Sequence, residues 1–171
     1  MSILIPIENI KDNIELILCD SMTAEQAHKE LFRFSDSAYI TTDETVNLFA
    51  AIANIINTCN SLTTHSGKIH VVLNWANLLQ VSLWQASRPI IGDVFTLLKN
   101  NGLSAQELQP FKASDINDIF PWLYYGKRFD VLRKVCRIAK RKLESNFKNQ
   151  LTRVECHVIA GDTKKIVASS L

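Results

Sequence analysis

Nine basic side chains and two acidic ones, Asp130 and Glu144, lie between Lys127 and Lys148. Lys127, Lys134, Arg141 and Lys148 recur every seven residues, with Arg137 among them. Seven residues are about two helical turns, so such cations drift by only ~20° per step. On a helix they form a straight basic ridge roughly 30 Å long at ~1.5 Å per residue. With so few acids, the run is not laced with i,i+4 ion pairs, and a polyanion would relieve its self-repulsion. The candidate phosphate contacts are Lys127, Arg133, Lys134, Arg137, Lys140, Arg141 and Lys148. Phe120, Trp122, Tyr124, Tyr125 and Phe129 adjoin the ridge. Aromatics beside cations can stack bases, but anchoring the ridge to a core or to another subunit is the favoured role. Duplex RNA is recognised by shape and phosphate and needs no stacking platform.

The remaining chemistry is sparse. His65 and His70 stand five apart, Cys156 and His157 are adjacent, and His28 is remote, so no ligand spacing appears and the sequence predicts no metal site and no cofactor. Cys136 sits among Arg133, Lys134, Arg137 and Lys140, which would depress an exposed thiol's pKa. It falls on the apolar face of the run, which makes it an inert core residue. Asp115 and Asp118 are explained by a helix N-terminus, which favours negative charge. Gly-rich phosphate loops, H-E-x-x-H, G-x-S-x-G and EF-hand patterns are all missing, and the expectation is a protein that is not an enzyme.

The elements that must carry these residues read as helices. With 47% apolar and 21% charged residues among 171, the composition is that of a folded globular chain. Thr23–Gln26, Thr41–Glu44 and Ser104–Glu107 have capping-box spacing, and Ser114-Asp115 opens a further helix. Residues 7–19 and 69–86 show helical spacing of apolar positions. A helix starting at Pro89 runs to Asn101, with Gly102 as its stop. Gly126 to Gly161 reads as one long helix, bent or broken near Ser145-Asn146, burying Phe129, Leu132, Cys136, Ala139, Leu143 and Phe147. Residues 162–171 carry no strong signal. The expected fold is all-α: about eight helices in two small subdomains, 1–88 and 89–171, divided at Ser87-Arg88-Pro89.

Charge divides along the chain as well. Residues 1–110 hold six basic and eleven acidic side chains; residues 111–171 hold thirteen and six. Such a bipolar chain suits a nucleic-acid surface or head-to-tail self-association. The four cysteines form no C-x-x-C pair and read as buried hydrophobes of a reducing compartment. Neither a signal peptide nor a membrane span is evident, so a soluble intracellular protein is expected.

Leu18-Cys19-Asp20 followed by Thr23, the Gly-poor helical organisation, and Val131–Cys136 with its trailing cations resemble the small RNA-silencing suppressors of closteroviruses. That resemblance implies a viral protein of the host cytoplasm that captures small RNAs without enzymatic action. It also implies a homo-oligomer, a ring with a basic interior. The rival reading is a helical protein–protein adaptor or chaperone that docks an acidic partner on the same ridge.

Overall fold

The computed structural model describes residues 15–43, 47–61, 67–148 and 151–171. Its centre is a five-stranded sheet in the order β2-β1-β3-β4-β5. Strands β1 (Leu16–Cys19), β2 (Tyr39–Thr41), β3 (Lys68–Leu73) and β4 (Arg153–Ala160) are parallel; β5 (Lys165–Ser169) closes one edge antiparallel to β4. Helix α1 (Met22–Leu31) joins β1 to β2, and α2 (Leu48–Ser61) joins β2 to β3. Between β3 and β4 run α3 (Trp75–Leu83), α4 (Ile91–Lys99), α5 (Ala105–Leu108), α6 (Ile119–Tyr125) and α7 (Phe129–Glu144).

The all-α expectation is therefore wrong. Residues 69–86 divide into β3 and α3, with Asn74 between them accepting the Asn77 N–H at 2.9 Å as an N-cap. The helix read from Gly126 to Gly161 stops at Glu144, and its second half is β4. Residues 16–19 of the first expected helix form β1, and the rest of that helix lies outside the described residues. The tail holds β5. For β1 and β3 the cause lies in the covering of the sheet. A parallel sheet is covered on both faces, so its strands read as continuous apolar runs without alternation. Leu18, Val71, Cys156 and Val158 enter the larger core; Ile17, Cys19, Val72 and Ile159 enter a smaller one on the other face.

Helical expectations fare better. Ser104 and Glu107 form the reciprocal capping box, and Asp115 and Asp118 form another. Helix α1 is capped by Ser21 rather than Thr23. Thr41 ends β2, while α2 starts at Leu48; Glu44 and Val46 lie outside the described residues. Gly102 stands at φ 108° after α4, a conformation glycine adopts without cost. The α7 stripe is as read for Leu132, Cys136, Ala139 and Leu143, which are buried, and Phe129, which is half-buried; Phe147 is buried too but lies beyond the end of α7. Strands on both sides of Ser87–Pro89 share the one sheet, since β3 pairs with β4 from Lys68–Arg153 to Leu73–Val158.

The two faces are covered unequally. Helices α2, α3 and α7 contribute to the larger core. Helix α1 packs against β3 and β5 on the opposite side with only Ala24, Ala27 and His28 buried. Among the described residues no helix is long and apolar enough to cross a membrane.

Leu132 is fully buried in the first turn of α7. Leu132→Ala should cost about 2–5 kcal/mol in urea denaturation. Arg137→Ala, on the exposed side of the same helix, should stay within about 0.5 kcal/mol of the parent.

Candidate functional site

Helix α7 has two sides with different tasks. At 100° per residue, Lys140, Arg133, Arg137, Arg141 and Lys134 fall within about 120° of one another. Opposite them lies the buried arc of Leu132, Val135, Cys136, Ala139 and Leu143. Arg133, Lys134, Arg137 and Arg141 are exposed, and Lys140 is half-buried. Both carboxylates of the helix are engaged elsewhere: Asp130 is held by Arg128 Nε at 3.2 Å, and Glu144 Oε1 accepts the Val154 N–H at 2.9 Å. Lys140 Nζ stands 4.0 Å from Glu144 Oε1. Among the described residues, no carboxylate lies within ion-pair distance of Arg133, Lys134, Arg137 or Arg141.

The other two candidates fall outside the helix. Lys127 precedes α7 in a left-handed conformation at φ 56°, and Lys148 follows its end; both are exposed. The ridge is thus a 16-residue helix with one cation beyond each end, about 24 Å of helix rather than 30 Å. Exposed Lys142, absent from the sequence list, flanks the row. The aromatic run also divides. Trp122 packs on Phe111 with centroids 5.2 Å apart, whereas Phe120, Tyr124 and Tyr125 line a cavity of about 430 Å³ with Trp75 and Asn74.

Asn74 also lines a second cavity, of about 550 Å³, with Asp20, Ser21, Thr42, Asp43 and Asn77. It lies outside the carboxyl ends of β1 and β3, where the connections change direction, the usual ligand crevice of an open α/β sheet. Asp20 Oδ2 accepts from the Asn74 N–H at 2.7 Å and from Asn77 Nδ2 at 2.8 Å; Oδ1 is buried without a partner. Burial raises the Asp20 pKa above the usual carboxylate value. The lining supplies oxygens and amides but no lysine or arginine, so it suits a polar or cationic ligand rather than a phosphate. No residue spacing around Asp20 marks it as a ligand-binding residue in the sequence.

The sequence separates the histidines; the fold gathers three of them. His28 from α1, His70 from β3 and His157 from β4 meet under α1, all fully buried or nearly so. His70 Nδ1 is 3.4 Å from His28 Nε2 and 3.2 Å from His157 Nε2. Burial and the neighbouring imidazoles lower the His28 pKa to about 4 and that of His157 to about 3; burial also lowers that of His70. The missed signal was period two: once 68–73 and 153–160 are strands, His70 and His157 share a sheet face. Cys136 is fully buried and its thiol is pushed up to about 12, so it is no thiolate nucleophile.

These features define a doubly wound α/β domain with an antiparallel edge strand and a cationic outer helix. Comparison with family models, with curated proteins and with solved structures returns no match. Of the three features behind the closterovirus resemblance, the all-helical organisation gives way to the sheet. Leu18-Cys19-Asp20 is the end of β1, and Val131–Cys136 lies within α7.

The buried imidazoles set a pH dependence. His28 and His157 both titrate below the ordinary 6.5, so in the interval the unfolded chain takes up protons that the folded chain refuses. Stability should be level above about pH 7. It should then fall as pH drops from 6.5 toward 4 for His28 and 3 for His157, by up to ~1.4 kcal/mol per pH unit for each histidine. Urea titrations in chelator-containing buffer check this, and His157→Gln should flatten the slope.

Proposed function

We propose that the protein binds RNA through the outer face of α7, capturing it stoichiometrically and performing no reaction on it. One observation carries the reading: Arg133, Lys134, Arg137 and Arg141 are exposed, and no carboxylate among the described residues lies within ion-pair distance of them. Arg133, Arg137 and Arg141 follow one another at four-residue intervals, a rise of about 6 Å each, with Lys134 and Lys140 beside them. Guanidinium and ammonium groups on a convex helix reach phosphates more readily than base edges, so the contacts position the strand without reading sequence. Release of condensed counterions supplies the affinity. Sequestration of small RNA, as in the silencing suppressors the sequence resembles, is the biological role that fits such capture.

The row also separates folding from binding, because its side chains lie opposite the buried arc. Replacing Arg137 and Arg141 together with Ala should leave the circular dichroism spectrum unchanged. It should weaken RNA binding about equally for unrelated sequences. The slope of log K against log salt should become shallower by up to roughly 1.4–1.8. Unchanged affinity and slope in filter binding would show that α7 does not hold RNA. An acidic protein partner would then be the occupant to seek.

A further inference from the structure

Three imidazoles buried against one another need a physical reason. His70 Nδ1 faces both His28 Nε2, at 3.4 Å, and His157 Nε2, at 3.2 Å. An imidazole nitrogen has one in-plane direction, filled by either a proton or a lone pair. If Nδ1 carries a proton, that proton is shared between two acceptors; if it carries a lone pair, two N–H groups compete for it. A cation meets no such conflict, because three lone pairs can point at it together.

The outer nitrogens agree with that arrangement. His28 Nδ1 is 2.8 Å from the Tyr39 hydroxyl, and His157 Nδ1 is 2.6 Å from Ser169 Oγ. His70 Nε2 has the Glu15 carboxylate at 3.5 Å. The Tyr39 and Ser169 oxygens can each accept from an outer ring N–H, which leaves the inner nitrogens of His28 and His157 with their lone pairs; His70 Nε2 is buried without a hydrogen-bond partner among the described residues. Metal-bound histidines are oriented by partners of this kind.

The dimensions fit a small ion. Ring centroids of the three histidines are 5.0, 5.5 and 5.5 Å apart. Three imidazoles bound tetrahedrally to zinc at about 2.0–2.1 Å would have inner nitrogens about 3.4 Å apart and centroids about 5.2 Å apart. A carboxylate borders two of the three. Glu155 Oε2 is 3.5 Å from His70 Nδ1 and 4.0 Å from His157 Nε2, while Oε1 is ion-paired to Lys68 Nζ. Imidazole and carboxylate together suit zinc better than magnesium or calcium, which take oxygen.

We propose that His28, His70 and His157 form a three-histidine zinc site that pins α1 to β3 and β4, with the Glu155 carboxylate beside two of the three. The site is independent of the RNA reading, and neither depends on the other.

The test uses the full chain, stripped with a chelator and titrated with Zn²⁺ or Co²⁺ against a chromophoric competitor. One equivalent of Zn²⁺ should bind per chain, the Tm should rise, and Co²⁺ should give the intense visible bands of tetrahedral coordination. His28→Gln and His157→Gln should each weaken Zn²⁺ binding by about 100-fold or more. Tyr39→Phe and Ser169→Ala, which keep all three histidines, should weaken it by about 10–100-fold. His65→Gln, the remaining histidine, should have no effect. Should the ligand variants fail to fold, the parent titration and the Tyr39 and Ser169 variants decide the matter. The proposal is overturned if the parent binds no Zn²⁺ at tens of micromolar. Equal binding by His157→Gln, or by both Tyr39→Phe and Ser169→Ala, overturns it too, as does a weak octahedral Co²⁺ spectrum.

Discussion

A parallel sheet has to be covered on both faces, and this one is covered unequally. Helices α2, α3 and α7 bring leucine, isoleucine and valine to one side. On the other, α1 is short and turns small residues, Ala24 and Ala27, toward the strands. The space beneath it over β3 and β4 is filled by His70, Glu155 and His157, with Phe32 and Phe34 packed on the rings. Buried polar groups are costly unless they satisfy one another. Here they sit in one connected set running from Lys68 to Tyr39 and Ser169. The thin face is therefore held by directed contacts, the thick face by apolar area.

Helix α7 shows the same division within one element. Its inner side is continuous with the core, and Ser82 Oγ from α3 donates to its Val135 carbonyl at 3.2 Å. The outer side contributes little to that packing. The end of the helix is fixed locally: Ser145 Oγ and Asn146 Nδ2 both donate to the Lys142 carbonyl, and Glu144 reaches forward to the backbone of β4. The chain can thus leave a strongly basic helix and enter a buried strand within a few residues.

What the sequence disclosed follows from the range of each interaction. Caps are local, so Ser104–Glu107 was legible from spacing alone, while Asp115 and Asp118 read only as acids at a helix start and Thr23 reads as the cap that Ser21 provides. The α7 stripe was legible because one side is wet and the 3.6-residue period survives. Strands β1 and β3 were not, because Leu16–Cys19 and Ile69–Leu73 are buried on both faces and show no alternation. Within β4, Val154 and Val158 satisfy a helical four-residue spacing and a strand's two-residue spacing at once. The histidine cluster depends on pairing across 42 and 87 residues, and no local pattern encodes such a distance.

The cysteines have a use beyond filling space. Cys19 lies in the thin layer beside α1, Cys59 on α2, Cys136 on α7 and Cys156 on β4 of the sheet between them. All four are free and buried, with burial raising each pKa. A thiol in that condition reacts only when its surroundings open. The molecule therefore carries a built-in reporter in each layer, and the order in which the four become alkylated maps the order in which the layers come apart.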